Sequence, residues 1–301
     1  TAYFLRGYAY FIALYTFGGV PEVITTDIET NRNIPRATEA EILSLIIDDY
    51  NEALATLPEE PVNAGFAGEF AVRAAFARLY LYLGDWNKAV QFSTEVIDSD
   101  QYELEAEFSS LVTEDFTDEA ILEVGYTQAD DPGSDGNFGL NNLFVGRREI
   151  IPSNQVIVAL ASSESGDRFS SMNFYLANLS GNDNGWSVAK YGTADADNNN
   201  VVVFRLAEMY LIRAEARTQL DNVTGLASAQ SDINVLRSRA NAPTIPSVTK
   251  SQMLRLIESE RQYELAFEGH RWYDLVRTGR ASQVMPPFSS NTCSGRQTCQ
   301  S

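Results

Sequence analysis

The stretch that decides the fold is EFAVRAAFARLYLYLGDWNKAVQFSTEVID, residues 69–98. Its first half, 69–83, is apolar and rich in alanine, which favours a helix that is buried on most of its surface. Residues 84–86 (Gly-Asp-Trp) turn the chain, and 87–98 predict a second helix with Ala89 near its start. Because small side chains at a helix crossing let two axes approach closely, the stretch predicts a tightly packed helix hairpin.

The order helix, L-G-x-W-x-x-A, helix resembles half of a tetratricopeptide repeat. An ordinary helix hairpin is the alternative interpretation. Working outward, apolar periodicity and stop signals predict further helices on both sides. These predicted helices are 2–17, a segment from Thr38 that stops before Pro58, 204–220, 226–240, a segment from Thr249 to about Phe267, and 270–277.

Two of these helices carry a capping box at the start. Thr38 is followed three residues later by Glu41, and Thr249 by Gln252. In this arrangement the threonine side chain and the Glu or Gln side chain each satisfy a backbone N–H of the first turn. These two helix starts are therefore predicted from residues within a single helical turn.

The middle of the chain reads differently. A short strand is predicted at 120–124, followed by runs dense in Gly, Asn, Asp and Ser at 129–137, 180–185 and 195–200. Aromatic residues are set among these runs, and loops on a rigid scaffold commonly carry binding sites. The predicted fold is all-α: tetratricopeptide-like helix pairs, an α-α superhelix, with a loop-rich insert that contains little strand. We divide the chain into helical repeats (1–100), the insert (101–201), C-terminal helical repeats (202–280) and an irregular tail (281–301).

Composition excludes several classes of function. Of the 301 residues, 22 are Lys or Arg and 41 are Asp or Glu, which gives a net charge of −19. That sign argues against a general nucleic-acid binder and against docking to anionic lipid by a basic patch. A single histidine, His270, leaves no His-rich metal site. Cys293 and Cys299 lie close together near the end, where either a disulfide loop or two free thiols would fit.

Charged residues lie on the apolar C-terminal helices. Glu264 and Glu268 are four apart and would repel each other without arginines nearby. Acid–base catalysis by two carboxylates is the functional alternative, but flanking arginines would lower their pKa values, which does not suit a general acid. We therefore expect an ion-pair network between packed helices, and His270 as a satisfied residue at a helix junction. The spacing predicts three pairs, namely Arg205 with Glu208, Arg261 with Glu264 and Glu268 with Arg271.

Metal binding and catalysis both have weak sequence support. The acidic loops at Asp131 and Asp195 fail the EF-hand template, which leaves only a calcium site of another kind open. No cofactor motif is present, and we expect no metal and no cofactor. A glycosidase would need two carboxylates set apart across a sugar, for which Asp130, Asp131 and Asp183 are the available loop acids.

Several runs of this chain are similar to one family. The most specific is IESERQYELAFEGHRWYDLVRTGR (257–280), supported by FRLAEMYLIRAEA (204–216) and DINVLRSRAN (232–241). The segments 2–23 and 73–97 match other parts of the same family. Together these runs resemble the SusD/RagB family of surface glycan-binding lipoproteins from Bacteroidetes, and they cover nearly all the predicted helices.

The resemblance implies a single SusD-like domain over 1–301 that captures nutrients without catalysis. It implies an oligosaccharide ligand, or a peptide in some members, and delivery to a SusC-type TonB-dependent transporter over which the protein acts as a lid. The implied location is the outward-facing surface of the outer membrane, through a lipidated N-terminal cysteine. We expect that anchor, the signal peptide and the family's first helices to be missing from this chain, and the ending 285–301 departs from the family pattern.

The binding residues cannot be carried over from the family, because its strong motifs belong to the scaffold. Sugar rings stack on Trp and Tyr, while their hydroxyl groups need fixed polar partners. Trp186 beside polar residues in one short loop is therefore the first candidate, although it could instead pack the insert onto the helices. The candidate glycan-binding residues are Trp186, Tyr191, Asn184, Asp183, Tyr175 and Arg147.

A peptide- or protein-binding scaffold is the rival function. It would use a helix groove on the concave face, near Arg73, Arg78 and Tyr80. Trp186 would play no part in that mode of binding.

Overall fold

The computed structural model describes residues 1–125, 140–181, 183–192 and 200–285. Within these ranges the protein is predominantly helical, as predicted, with two small two-stranded antiparallel sheets. The N-terminal helices are α1 (Ala2–Phe17), α2 (Ile28–Asn31), α3 (Glu39–Leu54), α4 (Glu69–Leu83), α5 (Trp86–Ile97) and α6 (Ser110–Thr113). The central elements are β1 (Ala120–Val124), α7 (Asn154–Leu160), β2 (Met172–Phe174), β3 (Trp186–Val188) and β4 (Val201–Arg205). The C-terminal helices are α8 (Leu206–Gln219), α9 (Ala229–Arg239), α10 (Lys250–Glu264), α11 (His270–Arg277) and α12 (Ala281–Val284).

The hairpin α4–α5 confirms the prediction made from residues 69–98. Gly84 ends α4 in the left-handed conformation, with φ of 71°, where glycine carries no steric penalty. Asp85 caps α5 by accepting a hydrogen bond from the backbone N–H of Lys88 at 3.2 Å. Trp86 is the first residue of α5 and not part of the turn, so the helix begins one position earlier than predicted.

Helix α8 lies between two apolar cores. One core joins it to α1, α3, α4 and α5, with Tyr50, Phe76 and Phe204 fully buried. The other joins it to α9 and α10, where Ile233 and Met253 are buried. Because α8 is covered on most sides, its alanines and its buried charged residues are packed against neighbouring helices.

The strand predicted at 120–124 is confirmed, and its partner was missed. β1 pairs antiparallel with β4, in a register that sets Leu122 opposite Phe204. The helix predicted from 204 therefore begins at Leu206. The run of three valines at the start of β4 favours a strand because β-branched side chains fit a pleated surface.

Helix ends elsewhere are close to the predictions. Both capping boxes, at Thr38 and Thr249, are present. α9 starts at Ala229 and not at 226, because Ser228 supplies a third capping box. α10 ends at Glu264, three residues before the predicted end, and 281–284 in the expected irregular tail form a short helix. Cys293 and Cys299 lie outside the described residues.

A buried ion-pair network joins the insert to the C-terminal helices. Arg168 is fully buried, and donates to Glu264 at 2.5 Å and to Glu260 at 2.6 Å. Arg205 donates from Nη1 to Glu264 and to Glu119, both at 2.7 Å. Arginine suits this role because its planar guanidinium can serve two carboxylates at once. The expectation of an ion-pair network is therefore confirmed.

The predicted partners within that network were wrong. Glu208 pairs with Arg78 and not with Arg205, and Arg261 pairs with Asp274 and not with Glu264. Arg271 lies 3.2 Å from Glu258 and not on Glu268. The reason is that these side chains face neighbouring helices, where a partner from another element is closer than the residue one turn away.

The electrostatics of the network agree with the sequence argument. Burial alone would raise the pKa of Glu264, but Arg239, Arg168 and Arg205 together hold that pKa well below its ordinary value. Burial likewise opposes the shift at Glu268, whose pKa is lowered to about 2 by Arg205 and Lys190. Both carboxylates are therefore ionised at neutral pH, as ion-pair partners are.

His270 opens α11 and is not set up for proton transfer. Burial lowers its pKa to about 4, more strongly than the nearby Glu208 raises it. Its Nδ1 atom lies 3.9 Å from a Glu208 oxygen, beyond hydrogen-bond distance. The neutral imidazole thus lies at the expected helix junction, between α10 and α11, but Glu208 does not supply the hydrogen bond of a satisfied imidazole.

Asp274 offers a test of this electrostatic arrangement. Burial would raise its pKa, but Arg261 and Arg277 lower it to about 2. Since the folded pKa is depressed, the ionised group stabilises the fold above its unfolded pKa, and this contribution fades as the pH falls toward about 2. We expect Asp274→Asn to unfold at lower urea concentration than the native chain at pH 7, with a difference that shrinks between about pH 4 and pH 2. A difference that stays constant over that range would contradict the assignment.

Candidate binding site

The candidate site is built on the hairpin formed by β2 and β3. The register pairs Phe174 with Trp186, which places these two aromatic residues at the end of the hairpin that leads into its connecting loop. Gly185 has a φ of 79°, and a Cβ atom there would lie 2.6 Å from the Phe174 ring. Glycine is therefore required for the ring to lie against the backbone at this point.

Trp186 joins an aromatic group that is buried on one side and exposed on the other. Its ring centroid lies 5.3 Å from that of Phe169 and 5.3 Å from that of Phe174. Phe169 belongs to the apolar cluster under the hairpin, whereas Phe174 is 46% exposed. Leu176 and Leu179 in the following turn are exposed as well. We call Phe174 and Trp186 the aromatic platform. The half-buried Trp186 ring packs against Phe169, in line with the packing interpretation, while its contact with a sugar stays a prediction.

Asp183 is held in place by Arg148. Arg148 donates from Nε and Nη2 to the two Asp183 oxygens, both at 2.6 Å. The same Nη2 donates to the backbone carbonyl of Trp186 at 2.9 Å, and Nη1 donates to the Ser187 hydroxyl. The hydrogen bonds from Arg148 lower the pKa of Asp183, so this carboxylate is ionised beside the platform.

Asn184 shapes the turn before Trp186. Its side-chain oxygen accepts a hydrogen bond from the Trp186 N–H at 3.1 Å, and its amide nitrogen donates to the Pro152 carbonyl at 2.8 Å. The first contact is a local turn in which an Asn side chain replaces a backbone partner. Asn184 thereby fixes the backbone on which Trp186 stands.

The remaining predicted residues are not all brought together. Tyr191 is 6% exposed; its ring stacks on Phe144, and its hydroxyl donates to the Phe267 carbonyl at 2.7 Å. A ring enclosed in this way offers no open face for a sugar in the described structure. Tyr175 is half-buried directly after Phe174, and Arg147 is exposed and pairs with Glu149.

Arg148 is the residue that sequence reasoning missed. We predicted its neighbour Arg147, and the sequence offers no local signal that separates the two. The difference arises because Arg148 adopts a left-handed backbone conformation, with φ of 51°. A partner 35 residues away, Asp183, then meets its side chain.

The catalytic and metal-binding alternatives gain no support from the described residues. Asp183, the one described acid of the three proposed for a glycosidase, is paired with Arg148 and has a lowered pKa, unlike a general acid. Asp130 and Asp131 lie outside the described ranges, as do the acidic loop residues from Asp195. Between residues 1 and 285, the described portions contain no group of three or more His, Cys, Asp or Glu residues placed to hold a metal ion.

The rival groove is occupied by the protein itself. Arg78 is buried and donates to both oxygens of Glu208, at 2.7 and 2.6 Å. Tyr80 is buried, and Arg73 pairs with Glu69 and Glu95. Arg78 and Tyr80 are therefore buried within the helix packing, and the half-buried Arg73 is paired with two glutamates of the protein itself.

Comparison with known proteins bears directly on this fold. The model of the SusD family matches residues 159–296, and a second model, described as starch-binding and associating with the outer membrane, matches residues 1–81. A SusD-like protein of Formosa agariphila is 26% identical, over 97% of this chain and 68% of its own length. Another SusD-like protein of that organism is 25% identical, over 95% of this chain and 66% of its own.

Solved structures agree with these sequence matches. A laminarin-binding SusD-like protein has a TM-score of 0.79 and 26% identity, over 96% of this chain and 73% of that one. A SusD superfamily protein from Bacteroides thetaiotaomicron has a TM-score of 0.81 and 26% identity, over 92% of this chain and 66% of that one. The chain thus spans about two thirds of the length of such relatives.

By its fold, the protein belongs to the helical, tetratricopeptide-like proteins in which a loop-rich insert rests on paired helices. Within that class, one family model matches the first part of the chain and the other matches its last part. The chain belongs to the SusD/RagB family, which is a family of carbohydrate-binding proteins. None of the helices that the structure describes has both the length and the apolar character needed to cross a lipid bilayer.

Proposed function

We propose that this protein binds oligosaccharides or polysaccharides at the cell surface, with the aromatic platform as its contact surface. The observation that carries the proposal is the half-exposed Trp186 ring beside the exposed ring of Phe174. Flat C–H faces of sugars stack on such rings. The ionised Asp183 and the backbone groups around it supply polar partners at the edge of the platform.

The family supports the ligand class. One of the similar structures is described as laminarin binding, and the model that matches 1–81 is described as starch-binding. Both concern polymers of neutral sugars, for which stacking on aromatic rings is a suitable mode of recognition. Of the candidate residues, Trp186 is therefore assigned the main contact, and Asp183, Asn184 and Tyr175 the surroundings.

Delivery of the bound ligand is the second part of the proposal. The chain captures its ligand without cleaving it and passes it to a partner TonB-dependent transporter of the SusC type. The proposed location is the outward-facing side of the outer membrane, in line with the outer-membrane association that names one family model. Support for binding without catalysis comes from Asp183, whose pairing with Arg148 suits a fixed hydrogen-bond acceptor better than a proton donor.

Affinity electrophoresis tests the proposal. The chain is run through native gels that contain laminarin, starch or another neutral polysaccharide, and we expect retardation by one polymer class. Trp186→Ala should weaken binding by tenfold or more, because truncating a central aromatic contact costs ~2 kcal/mol. Trp186→Phe, which keeps a ring on the platform, should retain part of the retardation.

Trp272→Ala is the matched control. Trp272 is 55% exposed on α11, so its removal deletes the same ring from a surface outside the platform. Circular dichroism establishes that each variant is folded. Folded native chain that no polysaccharide retards, or equal retardation of the native chain and Trp186→Ala, would overturn the proposal. Release of reducing sugar by the native chain would overturn the non-catalytic part alone.

A further inference from the structure

A second concave surface lies on the helical scaffold. It is a cleft of about 520 Å³, and every described residue that lines it belongs to α4, α5, α8, α10 or α11, or to a turn that directly follows α4 or α11. This volume falls within the range of ~300–1,000 Å³ that is usual for small-molecule sites. The aromatic platform contributes no residue to the described lining, so the cleft is a separate feature.

The lining of the cleft is rich in arginine. Five arginines face three carboxylates, so the lining has two positive charges in excess although the whole chain carries −19. We call this surface the arginine cleft. Its charged lining residues are Arg255, Arg261, Arg271, Arg277 and Arg280, with Glu215, Glu258 and Asp274.

The carboxylates of the lining do not neutralise all of its arginines. Glu258 is shared by Arg271 at 3.2 Å and Arg280 at 3.4 Å. Arg255 is exposed and makes no ion pair within the described residues. The mouth of the cleft therefore presents three arginines to a single glutamate.

The floor of the cleft contains unused donors. Arg261 is 3% exposed and donates through Nε to Asp274 at 2.7 Å, while its two Nη atoms have no partner among the described residues. At the mouth, Nε of Arg280 is likewise buried without a described partner. Leaving charged donors unpaired in a buried position is unfavourable, and a carboxylate or sulfate group matches the two Nη atoms of a guanidinium.

We propose that the arginine cleft binds an acidic oligosaccharide through a carboxylate or sulfate group. The choice of a sugar rests on the proposed function, whereas the requirement for an anion rests on the arginines. Trp86 and Tyr82, which also line the cleft, provide apolar surface for the body of the ligand. The ligand anion meets Arg255 and Arg271 at the mouth, and Arg261 at the floor is the deepest donor available to it.

Isothermal titration calorimetry with three probes tests this proposal: trigalacturonic acid, a sulfated carrageenan oligosaccharide and neutral laminaritriose. We expect one or both acidic probes to bind, and the comparison between them identifies the preferred anion. The double variant Arg255→Gln/Arg271→Gln should weaken that binding by ~tenfold, the loss expected for removing charge-assisted hydrogen bonds. Both side chains lie at the cleft mouth, and circular dichroism establishes that the variant is folded.

Arg32→Gln is the control, since Arg32 is 62% exposed next to α2 and lies away from the cleft. It removes one positive charge from the chain and should leave acidic-sugar binding unchanged. The proposal is overturned if neither acidic probe binds, if the double variant binds them as the native chain does, or if Arg32→Gln causes an equal loss. Retardation by neutral polysaccharide should persist in the double variant and be lost in Trp186→Ala, so the two proposals fail independently.

Discussion

Replacing Glu264 with glutamine is expected to lower the free energy of unfolding by about 3–5 kcal/mol. This carboxylate is fully buried and accepts hydrogen bonds from Arg168 at 2.5 Å, from Arg205 at 2.7 Å and from Arg239. An amide of the same shape removes the negative charge and points a donor at arginines that are themselves donors. The three buried guanidinium groups then lose part of the negative charge that balances them.

The expected loss is large compared with the whole stability of a domain, which is typically ~5–15 kcal/mol. Urea unfolding followed by circular dichroism measures it. Glu29→Gln is the matched control, because the same atoms change at a glutamate that is 74% exposed and paired with Arg32. Surface pairs contribute ~0–1 kcal/mol, so this variant should unfold almost as the native chain does. Equal urea midpoints for the two variants would refute the assigned role of Glu264.

Gly166→Ala is expected to cost about 2–4 kcal/mol at a point where the insert meets the helices. Gly166 has a φ of 60°, which costs ~1–2 kcal/mol for a residue with a Cβ atom. A Cβ atom there would also lie 1.9 Å from the carbonyl oxygen of Ala240, so the backbone must move. That movement would break the hydrogen bond from the Asp167 N–H to the same oxygen and displace Arg168 from the ion-pair network.

Gly181→Ala separates the two contributions. Gly181 has nearly the same φ, 61°, but among the described residues no atom beyond its chain neighbours lies within 4 Å of an added Cβ. It should therefore show the cost of backbone strain alone, and unfold at higher urea concentration than Gly166→Ala. If both variants lose the same stability, the close approach to Ala240 contributes nothing.

The helical part of the fold could be predicted from sequence because its signals are local. The turn at Gly84 and the capping boxes at Thr38 and Thr249 depend on residues within one or two helical turns of each other. Strand β4 was missed for the opposite reason. Its hydrogen-bond partner β1 lies far earlier in the chain, and β4 runs directly into α8 without a turn that would mark the boundary between strand and helix.

The same distinction applies to the charges and the site. A network among buried arginines and glutamates could be expected from charged residues on apolar helices, but its pairing joins residues far apart in the sequence, such as Arg78 and Glu208. At the site, Trp186 could be predicted because it stands beside polar residues in one short loop of the sequence. Arg148 could not, since its importance depends on a contact with Asp183 that only the folded chain makes.

The contacts that hold the β2–β3 hairpin bear on which of its residues can be substituted. Arg148, which lies outside the hairpin, holds Asp183 and the Trp186 backbone, so the part of the connecting loop that leads into β3 is fixed by a residue from another segment. The tip, residues 175–181, includes the exposed Leu176 and Leu179 and carries little of the packing. Substitutions there are therefore expected to cost little folding stability, while they change the surface beside the proposed platform. Under the proposed function, ligand preference could change through residues 175–181 without any change in the helices that support the hairpin.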